Sequence, residues 1–275
     1  MKRSQLILLL VGVVAVAGLY ALPKVVVDNE GEADGISQEN QPETSESANP
    51  IAMHDAEISL DQAEEINTLK LQIRTNSTQE DYVSSADGLA SIYRELGMYD
   101  SAGYFLSLAA DKYPSNELSE KAGNAYYEAF GFALDADKVS FTADQTRKYL
   151  TQVLDKDPAR LDLKTKIAMT YVSSSNPMQG ITMLREVLAQ DPTNEDGLFN
   201  MGILSMQSGQ YKRATERFEE LIQYHPENLQ GQFYLAVSYF ESNQKNKAKA
   251  QFEKVKEMTQ DEMILGSIQS YLDKL

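Results

Sequence analysis

The chain has no cysteine, no tryptophan, two histidines and eight prolines among its 275 residues. Without cysteine there is no disulfide framework, thiol nucleophile, cysteine-held zinc or lipidated cysteine. His54 and His225 stand far apart, which leaves no metal-ligand spacing. Basic residues are scarce as well: 25 against 41 acidic ones give a net charge of −16, which repels phosphate backbones and argues against nucleic acid as a partner. No phosphate-cradling glycine loop and no Gly-x-Ser-x-Gly elbow occurs. The carboxylate pairs Glu64-Glu65 and Glu219-Glu220 occupy adjacent helical positions, which point in different directions. No catalytic residue, metal or cofactor is therefore assigned.

Long hydrophobic runs are lacking too, with one exception. From Leu6 to Leu22 the chain uses only Leu, Ile, Val, Ala, Gly and one Tyr, preceded by Lys2 and Arg3 and stopped at Pro23-Lys24. With Val25 to Val27 added, this predicts a transmembrane anchor over residues 1–27, contacting the membrane through residues 6–27, with Tyr20 at the interface. Ala15-Val16-Ala17 also offers a small-x-small cleavage site. Cleavage there would strand an apolar tail, Gly18 to Val27, which favours an uncleaved anchor. Between Asp28 and Glu57 lie nine acidic residues and no Lys or Arg, so Lys2 and Arg3 stay inside and the bulk of the chain is exported. Residues 28–57 carry almost no large apolar side chain and cannot offset the entropy of ordering. They read as an acidic flexible linker, with a reach on the order of 30 Å.

Beyond Ile58 the apolar pattern is helical. Pro158, Pro192 and Pro226 stand 34 residues apart, and Pro114 precedes them by 44. A fixed period of this size marks an array of helical hairpins. Taking each proline as position 32 of a unit gives starts at Val83, Leu161, Glu195 and Leu229, with an enlarged unit from Glu117. Small residues recur at two offsets, Ala90, Ala168, Gly202 and Ala236 on first helices and Ala102, Gly180, Ala214 and Ala248 on second helices. These let two helices approach closely, and large residues such as Tyr93, Leu106, Leu184 and Phe218 fill the space beside them. Gly97 and Gly209 stand where a first helix should end in a left-handed residue. In the enlarged unit the first helix is predicted to reach about Leu134. A loop from Asp135 to Phe141 then holds the extra length, and Thr142 with Gln145 caps the next helix.

These offsets resemble the tetratricopeptide repeat pattern over residues 83–262. The tryptophan common in that family's first helix is replaced by Ala86, Lys164, Leu198 and Gln232. The resemblance implies an all-α fold, a right-handed superhelical solenoid of helix-turn-helix units, here preceded by the transmembrane helix. An N-terminal capping helix and connection are expected over 58–82, and a C-terminal capping helix over 263–275.

The family also implies a concave side lined by positions 2, 5, 9, 12 and 13 of each unit. Carried onto this chain, the N-terminal unit offers polar Ser84, Asp87, Ser91, Arg94 and Glu95. Later units offer Met169 and Val172, then Phe199, Ile203 and Met206, then Phe233, Val237 and Phe240. This strip reads either as an adaptable peptide groove or as core closed by neighbouring helices. Relatives that hold a terminal carboxylate use Lys and Asn at positions 5 and 9; Asp87, Thr165, Phe199 and Phe233 with Ser91, Met169, Ile203 and Val237 do not match that chemistry.

The expected function is a non-enzymatic scaffold binding a protein or peptide partner. It would be tethered to a bacterial inner membrane, N-terminus cytoplasmic and array periplasmic, and would serve envelope assembly or exported-protein folding. Two alternatives stand beside it, a cytosol-facing anchored receptor and an exported glycan-binding protein or enzyme. Association with copies of itself is left open.

Overall fold

The computed structural model describes residues 58–75 and 78–275; the expected span over 6–27 and linker over 28–57 lie outside the described residues. Twelve helices follow: α1 Leu60–Thr75, α2 Gln79–Glu95, α3 Tyr99–Lys112, α4 Asn116–Phe132, α5 Ala136–Leu154, α6 Leu161–Val172, α7 Pro177–Gln190, α8 Glu195–Gln207, α9 Tyr211–Tyr224, α10 Leu229–Glu241, α11 Lys245–Met258 and α12 Glu262–Leu272. No strand occurs among the described residues. None of these helices is long and apolar enough to cross a membrane.

Helices α2 to α11 form five hairpins stacked in chain order, with α1 packed on α2 at one end and α12 on α11 at the other. Local chemistry sets the boundaries. The α2 start is fixed by Thr78, whose hydroxyl accepts from the Asp81 backbone N–H at 3.2 Å. Helix α2 therefore begins inside the stretch the sequence assigned to a connection. Ser115, Asn194 and Asn228 cap α4, α8 and α10 in the same way, accepting from Leu118, Gly197 and Gly231. Three first helices end alike. Gly97, Gly209 and Asn243 take φ of 73°, 70° and 61°, and the next N–H reaches back to Tyr93, Ser205 and Tyr239 carbonyls at 2.7, 2.8 and 2.8 Å. A left-handed residue costs a side chain roughly 1–2 kcal/mol, least for asparagine, which explains Gly at two positions and Asn at the third.

The enlarged unit corrects one expectation. Residues 136–141 are not a loop: the Asp135 carboxylate accepts from the Asp137 and Lys138 N–H groups at 3.0 and 3.1 Å and starts α5 there. Both helices of this hairpin are simply longer, 17 and 19 residues against 13 and 14 in α8 and α9. Thr142 lies inside α5, where its hydroxyl donates to the Lys138 carbonyl at 2.6 Å. The added turns hold contacts of their own, Phe141 edge-on to Tyr126 with ring centroids 5.9 Å apart and the Lys138 ammonium 3.6 Å from Asp100.

The small residues singled out above, Ala90, Ala102, Ala168, Gly180, Gly202, Ala214, Ala236 and Ala248, are all buried. The core divides along the stack. One cluster joins α1 to α5 around Leu89, Leu106 and Tyr126. Leu150, Val153, Leu163 and Ile167 bind α5 to α6. A third joins α8 to α12 around Phe218, Leu235 and Phe252. Each fully buried leucine or phenylalanine contributes roughly 1.5–3 kcal/mol relative to exposure. Helices α7 and α8 pack on each other more loosely than any other neighbouring pair from α2 to α11, so the seam between them is the thinnest part of the array.

Candidate interaction face

Two ion pairs tie equivalent positions of the first helices α2 and α4. Lys121 donates to Asp87 at 2.9 Å and Arg94 to Glu128 at 2.7 Å; in each pair the partners are 34 residues apart and hold the same unit position, fifth and twelfth. Between α4 and the start of α6, Arg160 donates two bonds to Glu120, at 2.8 and 2.7 Å, and two to Asp162, at 2.9 and 2.8 Å. A guanidinium fork matched to two carboxylates is a strong arrangement. The Arg160 bonds hold the Glu120 and Asp162 carboxyls below their ordinary range.

Replacing Arg160 with alanine should lower stability at pH 7 by about 1 kcal/mol, the charge-assisted bonds being discounted for partial exposure. Because both carboxyl pKa values are lowered, this contribution is present above the usual carboxylate range and is lost as pH falls through the lowered values. Urea titrations of both proteins across pH should therefore converge in strong acid. A constant difference down to that range would contradict the assignment.

Farther along the first helices, charge and aromatic surface meet. The Lys166 ammonium donates to Asn124 at 2.6 Å and stands 5.9 Å from the centre of the Tyr127 ring. Loss of water around Tyr127 pushes its phenol up to about 12, with the Asp196 charge adding. Asp196 reaches solvent, yet the surrounding helices strip enough water from it to raise its carboxyl. Glu195 and Asp162 add to that rise and Lys166 opposes it. Tyr127, Asp162, Lys166 and Asp196 thus share one electrostatic neighbourhood across α4, α6 and α8.

The apolar strip divides into an accessible part and a closed part. Met169, Val172, Phe199, Ile203 and Met206 are half-buried and keep surface toward solvent. The Phe199 ring meets Phe218 and Tyr234 edge-on at 6.0 and 5.8 Å. Phe233 and Val237, expected in the groove, are each only 4% exposed. Phe240 is half-buried against Tyr271 at 5.2 Å. The cause is α12: Tyr271 stacks on Phe252 at 5.0 Å and turns an edge to Phe233 at 6.3 Å. With α9, α11 and α12 around it, α10 is buried over nine consecutive residues, Gly231 to Tyr239. Phe233 and Val237 thus pack as core, whereas Phe240 keeps part of its surface open.

Sequence reasoning missed the ion-pair ladder. Its signal was present as opposite charges at matching unit positions, Asp87 against Lys121 and Arg94 against Glu128, once the enlarged unit is numbered from Glu117. It also gave no role to His225. That ring nitrogen lies 2.6 Å from the Thr193 carbonyl, linking the turns at the ends of α7 and α9. Among the described residues no group of acidic or histidine side chains could hold a metal ion.

Comparison with known proteins bears on the array. Residues 165–252 match the family described as surface lipoprotein assembly modifier, N-terminal TPR repeats. A tetratricopeptide repeat protein from Parabacteroides merdae has a similar structure, with 17% identity, a TM-score of 0.55, and coverage of 78% of this chain and 84% of its own. A thermophilic tetratricopeptide repeat protein of Thermus thermophilus gives 15% identity, a TM-score of 0.52, and coverage of 71% and 99%. No curated protein sequence matches. The chain is thus similar to tetratricopeptide repeat proteins in fold and, over α6 to α11, in sequence.

Proposed function

We propose that the protein is a non-enzymatic scaffold, anchored through residues 6–27, that holds a segment of a protein partner against the first-helix face between α4 and α8. One observation carries this reading. Met169, Phe199, Ile203 and Met206 keep apolar surface open to solvent, and Met169 and Phe199 stand three residues on from Lys166 and Asp196, which sets them beside those charges on the same helix faces. A half-buried apolar strip bordered by fixed charges suits a peptide whose side chains alternate in character. The match over residues 165–252 to a family named for assembling surface lipoproteins supports a role in envelope assembly. In this reading the array lies on the periplasmic side of a bacterial inner membrane. Anchoring raises its effective concentration for newly exported chains.

The test is site-specific photocrosslinking in intact cells, with the probe at position 203 and, as control, at exposed Lys249 on α11. A discrete adduct from 203 and none from 249, digested when spheroplasts meet external protease, is expected. Equal labelling from both positions would overturn the groove. An adduct resistant to protease would overturn the topology.

A further inference from the structure

Second helices α7 and α9 flank a cleft of about 610 Å³, open along the thin seam of the array. Its floor is Leu188 from α7 with Leu198, Met201 and Leu204 from α8. Helical spacing sets Leu198, Met201 and Ser205 on the opposite face of α8 from Phe199, Ile203 and Met206, so the cleft is separate from the groove proposed above. It extends from Ile181 to Ala189 along α7, with Pro192 beyond the helix end, and from Arg213 to Glu220 along α9, with Gln210 at its N-cap, a length of about 12 Å at helical rise. An elongated occupant fits this shape better than a compact one.

Charge narrows the class further. Three of the chain's eight arginines, Arg185, Arg213 and Arg217, line this one cleft. Arg217 is paired with Glu220 at 3.0 Å. Arg213 donates to the neutral Gln210 side chain at 2.6 Å. Arg185 has no acidic partner among the described residues. Counting Glu216 and Glu220 against the three arginines, the lining is positive by one charge on a chain of net −16. Guanidinium groups free of carboxylates above an apolar floor match a ligand that brings both kinds of group. We infer that this cleft is a second docking site, for an acidic peptide segment whose carboxylates engage Arg185 and Arg213 while a large apolar side chain enters between α7 and α8.

Fluorescence anisotropy with the purified full chain tests this, using a labelled short peptide of glutamates flanking two leucines. Saturable binding that weakens with added salt is expected. Arg185→Gln with Arg213→Gln should weaken it roughly tenfold or more. Ala189→Trp should weaken it comparably by filling the cleft with every charge in place. All three positions are exposed, so the helical signal and melting midpoint should stay unchanged. Exchanging the leucines for serine should also lower affinity. Absent binding, binding unaltered in both variants, or equal binding of a peptide with lysine for glutamate would overturn the site. None of these results bears on crosslinking from position 203.

Discussion

Replacing Gly180 with alanine should cost about 3 kcal/mol or more, at the upper end of what one added methyl group can do. The reason is what that methyl group would strike. A Cβ built on Gly180 collides with the Ala168 carbonyl oxygen and lies 2.8 Å from both the backbone nitrogen and a methyl of Val172. Two of these three atoms are backbone of the facing helix, so no rotamer change relieves them. Helices α6 and α7 must separate, which loosens the packing of Leu184 and Val187. Gly266 in α12 supplies the contrast, because nothing lies within 4 Å of a Cβ there. Gly266→Ala should stabilise by roughly 0.5–1 kcal/mol, the usual gain of alanine over glycine in a helix. Urea denaturation followed by circular dichroism compares the two. In an array whose units depend on their neighbours, the Gly180 change should also release amide protection in α6 and α7 while α2 to α4 stay protected. Unchanged exchange in α6 and α7 would contradict the close-approach account.

Truncating Phe233 to alanine should cost about 3–5 kcal/mol, the range for a buried aromatic removed from a core. Its ring is 4% exposed and meets Tyr234, Phe252 and Tyr271, so its loss leaves a cavity shared by α10, α11 and α12. Phe199→Ala should cost about half as much, since that ring is only half-buried, and should reduce crosslinking from position 203. Thermal melts of the two variants distinguish core from groove. If Phe233→Ala melted like the wild type, α12 would not be seated as described, and Phe233 would return to the list of groove residues.

The repeat array was legible because its determinants are local and periodic. Pro158, Pro192 and Pro226 set the phase, and the small residues at fixed offsets named the close approaches. Gly97 and Gly209 marked helix ends that the structure places at positive φ. The enlarged unit misled because it holds two competing start signals. Asp135 prevails over Thr142 because starting earlier adds helical turns that also place Phe141 against Tyr126 and Lys138 beside Asp100. The fate of Phe233 and Val237 was illegible for another reason. Their unit positions are those of a groove, and only the packing of the surrounding helices, a tertiary fact, turns them into core. The sequence named Met169 to Met206 as apolar first-helix positions and left groove and core open between them; the charged residues nearby went unread, because Tyr127, Lys166 and Asp196 sit on three different helices.

Helix α12 has a consequence for association between copies. The rule that builds the array is open-ended, since each hairpin finishes with an apolar face that invites another. At the last hairpin α12 meets that invitation with Ile264, Ile268 and Tyr271, while its other side turns Met263 and Gln269 to water. A head-to-tail contact between copies at an uncovered face would build a ring where its rotation closes and a filament where it does not. The eleven residues of α12 thus take the place that such a neighbouring copy would need on the last described hairpin.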